Sequence, residues 1–300
     1  MGENKDHTSP AAAQLSFFSD KKNYIERRRK WTVFWTGERN YNNIIRHSQC
    51  KEVLKEGGYY CNDNWDYING IKIYNPYGNK KIVEDRLTYV ESLVIPIFQK
   101  LDKNINLINR NDISLLDLGE DFNVVATYLI FQLYRTNSMR EKIKEILNSG
   151  FIVDFLNKNG IKDVKTRLLM KDIFNPDNAK KLHLDLLNDD EVFLKRIPLL
   201  LFNTRWTFFI NMTNSPFITG NIGVIKTEKW LYYPISNGMG LVIDFDINQG
   251  YENTVVYVYQ EVTNSDMIDS FNELIAQHST VIVGGNDNQY LHKYSPLLRK

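Results

Sequence analysis

Residues 205–212 read RWTFFINM, and the character of the chain changes there. The run is β-branched and aromatic, the composition of a strand. PFITG (216–220), VIKT (224–227), LYYP (231–234) and GLVIDFD (240–246) follow, separated by Asn, Gly and Pro. Short runs between turn residues predict an antiparallel sheet. TVIVGG (280–285) predicts a last strand, and Ser265–Gln277 a helix with Ser265 as its N-cap. TVVYVYQEV (254–262) has strand composition but could also pack as helix.

Upstream, helical spacing dominates. Leu87, Val94, Phe98 and Leu101 recur on one face and predict a helix over 82–103. A second long helix is expected over 120–147, ended by NSGF. Three more are expected over 151–203, with Pro176 near the first turn of one and Pro198 kinking or ending another. Nearer the N-terminus, residues 11–20 predict a short helix, KWTVFWTG (30–37) a strand, and 40–56 an amphipathic helix stopped by Gly57-Gly58. Residues 59–80 read as an aromatic, turn-rich loop with small β pieces. Helices before 204 and strands after it make an α+β fold. The expectation is a single domain over 1–300, with 1–203 mostly helical and 204–300 mostly β around one shared core.

Composition bounds the function. Of 300 residues, 43% are hydrophobic and the net charge is +1, so a large core forms and no globally basic surface exists for nucleic acid. The polar start MGENKDHTSP shows no signal peptide, and no apolar run approaches the ~20 residues a membrane span needs. Cys50 and Cys61 make no disulfide framework, and with five scattered histidines they make no metal site. A cytoplasmic protein without a membrane partner is expected.

Two helices carry polar residues on apolar faces. Glu91 lies four residues after Leu87 and three before Val94. Gln132 and Arg135 share the face of Val125, Tyr128 and Leu129. A charge facing a core costs several kcal/mol unless paired, so Glu91 and Arg135 are mutual partners. Either they form a buried ion pair steadied by Gln132, or the three line a cleft. There Glu would act as base or metal ligand and Arg would hold a phosphate or carboxylate.

Other patterns carry less. RNYNNIIRH (39–47) spaces Arg39 and His47 too widely for the Arg-Asn…His pattern of helical ribonucleases. GGNDN (284–288) is no P-loop, and GNIG (220–223) lacks the third glycine of a dinucleotide fingerprint. His183 and His278 read as ordinary helix residues, and ERRRK (26–30) as a solvated charged face.

Five segments in order resemble one family, the bacterial domain of unknown function DUF4238. HTSPAAAQLSFFSD places His7, Pro10 and Phe17 on its opening His-x-x-Pro and Leu/Phe helix. VEDRLTYVESLVIPIFQKL places Glu91 on its Ile/Val-Glu helix. YLIFQLYRTNSMRE places Gln132, Arg135 and Thr136 on its F-I-x-x-Q-x-x-R-T helix. NSPFITGNIGV resembles its F-I-T-S-D-x-P-V turn, and LYYPISNGMGLVI its P-L-S-P strand pair. Gly220, Asn221 and Gly223 stand where the family usually carries Ser, Asp and Pro. If that Asp is a base or metal ligand, Asn221 has lost its charge; if it caps a turn, Asn serves nearly as well.

The resemblance implies a single-gene anti-phage defence protein, and His7, Glu91, Gln132, Arg135 and Asn221 as either a shared site or a polar core network. As an enzyme it would be a nuclease or nucleotide-acting hydrolase on RNA, DNA or a nucleotide. Arg135 would stabilise phosphate charge, Glu91 would be base or Mg²⁺ ligand, Gln132 would orient and His7 would be an acid. The alternative is a non-catalytic sensor that binds a phage component.

Overall fold

The computed structural model describes residues 82–108, 118–245, 255–284 and 288–298, Phe18, and six short strands before residue 82. Those strands are β1 (Lys5–His7), β2 (Val33–Glu38), β3 (Ile44–Gln49), β4 (Lys55–Gly57), β5 (Trp65–Ile68) and β6 (Ile71–Tyr74). Seven helices follow: α1 (Ile82–Ile108), α2 (Asp121–Tyr134), α3 (Asn137–Asn148), α4 (Phe151–Lys158), α5 (Val164–Ile173), α6 (Ala179–Asn188) and α7 (Asp190–Leu201). Then come β7 (Thr204–Asn211), β8 (Thr219–Gly220), β9 (Ile225–Lys226), β10 (Trp230–Ser236), β11 (Met239–Phe245) and β12 (Val255–Val262). Helix α8 (Ser265–His278), β13 (Val281–Gly284) and α9 (Asn288–Tyr294) complete the described order. The fold is α+β, as expected, with helices mostly in the earlier part and a mainly antiparallel sheet in the later part.

Five strands form one sheet in the order β12-β7-β11-β10-β9. Its pairs are antiparallel except β12 with β7, which run parallel. The ambiguous 254–262 segment is therefore strand. Strand periodicity sends Trp206, Phe208 and Ile210 of β7 into a core shared with α1, α2 and α7. Phe209, between them, enters a second core on the other face with Phe18, Phe217 and Ile268. A sheet covered on both faces needs apolar residues at successive positions, which is why 205–212 does not alternate.

Four strands form a second sheet, β3-β2-β13-β8. Here the sequence reading is corrected. The helix expected over 40–56 is instead strand β3, paired with β2 from Glu38↔Ile44 to Val33↔Gln49, followed by β4. Ile44-Ile45 are β-branched, and pairing with β2, itself paired to β13, outweighs a marginal helical pattern. Most of the short helix expected over 11–20 lies outside the described residues. Four α-helices, not three, occupy 151–201. Asn264, not Ser265, caps α8, accepting the Asp266 N–H at 2.9 Å.

The correction that matters most is at residue 136. The helix expected over 120–147 is two helices meeting at an elbow. Arg135 keeps helical angles, and its N–H reaches Phe131 O at 2.8 Å. Thr136 turns to ψ 151°, and its Oγ1 accepts the Met139 N–H at 3.2 Å. A β-branched residue with a side-chain oxygen suits an N-cap better than a helix interior.

Candidate functional site

The elbow is built from the polar residues that interrupt the apolar faces. Helix α1 buries Val83, Leu87, Val90, Val94, Ile97, Phe98 and Leu101, and Glu91 sits at the edge of that stripe. Arg135 Nη1 donates to Glu91 Oε1 at 3.0 Å. The guanidinium is 1% exposed and the carboxylate 17%. Gln132 is buried, and its Nε2 finds no acceptor among the described residues. Beside them the phenols of Tyr128 and Tyr233 meet at 3.0 Å, with Phe98 packed against both rings. Burial raises both phenol pKa values, the Glu91 charge adds to the rise and Arg135 opposes it. The pair and the two phenols thus feel one another electrically.

A third fastening comes from α6. His183 is fully buried, 2.6 Å from Tyr134 O through Nε2. Arg140 Nε donates to its Nδ1 at 3.4 Å. With Nδ1 accepting, Nε2 carries the proton and donates to the carbonyl. Burial, the largest cause, lowers its pKa to about 4, so the ring is neutral near pH 7.

This elbow aims the N-terminus of α3 into a cleft of about 870 Å³. Tyr134, Thr136, Ser138, Met139 and Lys142 form one wall. Ile222, Val224, Ile225, Lys226, Thr227 and Glu228 form another, with Arg196 from α7 and Gln277 and His278 from α8. Two stretches nearly ninety residues apart, the α2–α3 elbow through Leu133, Tyr134 and Thr136 and the chain after β8 through Ile222 and Val224, therefore bound one space. Lys142, Arg196 and Lys226 bring three cations to it and Glu228 one carboxylate. The amides at the N-terminus of α3 add partial positive charge.

The turn itself is explained by hydrogen bonding. Strand β8 ends at Gly220, paired to Ile282 of β13. Asn221 Oδ1 then accepts the N–H of Thr280 at 2.9 Å and of Val281 at 3.2 Å. Either an amide or a carboxylate oxygen can accept two amides, so Asn can stand for Asp here. Gly220 has its own cause. A Cβ there would lie 2.8 Å from Ser279 Cβ and 2.9 Å from Val281 O, closer than real contacts allow. From α8, Asn272 holds the preceding segment, accepting Ile218 N–H at 3.0 Å and donating to Pro216 O at 2.9 Å.

Of the residues nominated from sequence, Glu91 and Arg135 are brought together, with Gln132 one turn before Arg135 on α2. Asn221 is not joined to them and sits at the turn after β8, bonded to the Thr280 and Val281 amides. None of these four is among the residues that line the cleft. His7 lies in β1, opposite Lys55 of β4, and its side chain lies outside the described residues. Among the described residues no three His, Cys, Asp or Glu side chains gather as metal ligands. Sequence reading did not single out Lys142, Arg196, Lys226 and Glu228, which line the cleft, and His278, read as a helix residue, is in α8 and lines it too. Apart from Lys226 and Glu228, which are two residues apart, they come from separate elements with no spacing that links them. Asn272 left a signal, a lone amide among Ile268, Ile275 and Ala276 on the buried face of α8.

The family model described as "Protein of unknown function (DUF4238)" matches residues 15–289. No curated protein and no solved structure matches the chain.

Proposed function

This chain belongs to the DUF4238 family, whose description assigns no activity, and from its geometry we propose that it grips a phosphate-containing target in the cleft beside the α2–α3 elbow. The observation that carries this reading is that Lys142, Arg196 and Lys226 line one cleft with Thr136, Ser138 and Met139 at the start of α3. Cations and oriented amides together favour a phosphate over a neutral ligand. A net charge of +1 favours a nucleotide or a locally gripped strand over long, sequence-independent nucleic-acid binding. The defence role comes from the family resemblance: the protein acts in the bacterial cytoplasm as an effector against phage RNA, DNA or nucleotides. No helix among the described residues is long and apolar enough to cross a membrane.

One observation favours the second reading, a sensor that sequesters a phage component without turnover. Glu91, the carboxylate the sequence offers as base or Mg²⁺ ligand, is engaged by Arg135.

The test is calorimetric titration of the purified protein with inorganic phosphate, a mononucleotide and a short single-stranded RNA, with phage plaquing in parallel. Binding by the wild type, weakened at least ~10-fold in Lys142→Glu/Arg196→Glu at unchanged folding, supports the phosphate reading. Absence of binding, or binding that ignores the double charge reversal, overturns it. Plaque counts that do not fall on expression of the wild type remove the defence role.

A further inference from the structure

The cleft holds an imidazole as well as cations. His278, in the last turn of α8, is exposed and lines the cleft. Its Nδ1 lies 2.9 Å from Leu274 O. A carbonyl oxygen only accepts, so Nδ1 must carry a proton. In the neutral ring the lone pair is therefore on Nε2. The charged groups facing the same cleft are Lys142 from α3, Arg196 from α7, Lys226 from β9 and Glu228 from the turn after it.

The backbone behind His278 is held by the adjoining turn after β8. Ser279 caps α8, and its N–H reaches Ala276 O at 3.2 Å. The next two amides, Thr280 and Val281, are those that Asn221 Oδ1 accepts. Gly220 leaves the room that Ser279 fills. The polar turn thus holds the backbone two and three residues beyond the imidazole, just past the end of α8.

We infer that the protein hydrolyses a phosphate ester in this cleft, with His278 as the proton-transfer group and Asn221 as its positioning residue. This rests on the phosphate reading of the cleft. Nε2 takes a proton from a water molecule as the water oxygen bonds to phosphorus. The bond from phosphorus to the ester oxygen breaks, and the departing oxygen receives that proton from the imidazolium as an alcohol. Water is consumed, the ring returns to neutral and nothing is oxidised or reduced. Lys142, Arg196 and Lys226 oppose the charge on the phosphoryl oxygens.

The experiment uses the full chain with inorganic phosphate as the binding probe, and p-nitrophenyl phosphate and bis(p-nitrophenyl) phosphate as esters. His278→Gln keeps phosphate affinity but loses ~10²-fold or more in kcat, and the fall in rate at low pH disappears from its pH profile. Asn221→Leu lowers kcat more than it changes KM while circular dichroism shows it folded, and Asn221→Asp restores the rate. A His278→Gln enzyme with unchanged kcat and an unchanged acid limb overturns the inference. So does a wild type that binds phosphate and hydrolyses neither ester, which leaves the binding reading standing. Failure of phosphate to bind at all overturns both.

Discussion

Arg135 and Glu91 are joined at 3.0 Å between α1 and α2, and the residue after Arg135 starts a new helix. The ion pair therefore lies at the hinge of the elbow that directs α3. Removing one partner leaves the other charge poorly compensated inside the protein. Arg135→Ala should cost ~3–5 kcal/mol, read as a lower denaturation midpoint and a smaller soluble fraction. A variant that keeps wild-type stability but loses phosphate binding would place Arg135 on the ligand instead.

Thr136 caps α3 through a single hydroxyl. Thr136→Val removes that oxygen with little change of shape and should destabilise by ~1 kcal/mol. Thr136→Ser should restore the loss. Thermal melts of the three proteins decide it. Phosphate titration of the same set shows whether fraying the end of α3 also weakens the cleft.

Gly220 and Ser279 compete for one volume. Gly220→Ser, which installs the family's usual residue, should cost ~1–3 kcal/mol through overpacking. Ser279→Gly in the same chain should recover part of that cost, because Val281 O still crowds the site. A double-mutant cycle measures the coupling, and strict additivity would show that the two side chains do not meet.

His183 should make stability fall in mild acid. Burial holds its native pKa near 4, against an ordinary value of 6.5. Between those values the unfolded chain binds a proton that the native protein does not, so stability drops as pH falls from 6.5 to 4. The loss is full below about 4 and absent well above 6.5. Its size is on the order of 3 kcal/mol for the wild type. Denaturant titrations from pH 4 to 7 should show a shallower slope for His183→Gln. Equal slopes would mean the ring stays solvated.

The sequence by itself determined the α+β class, the helix around Glu91, most strands of the later sheet and the partnership of Glu91 with Arg135. These are matters of local periodicity and of the cost of burying a lone charge, and both are written along the chain. It did not determine the break at Thr136. Helical periodicity runs on through that residue, and packing of α2 and α3 against different neighbours, with Thr136 as the N-cap, separates them. Nor did it determine strand β3, whose partner β2 is itself paired to β13, more than two hundred residues away. The cleft was hidden for the same reason. Lys142, Arg196, Lys226 and His278 look like ordinary surface residues of four elements, and electrostatics acts on the distances between them in space. Tertiary structure alone decided that these groups face one another, and that Asn221 ties its turn to the end of the helix bearing His278.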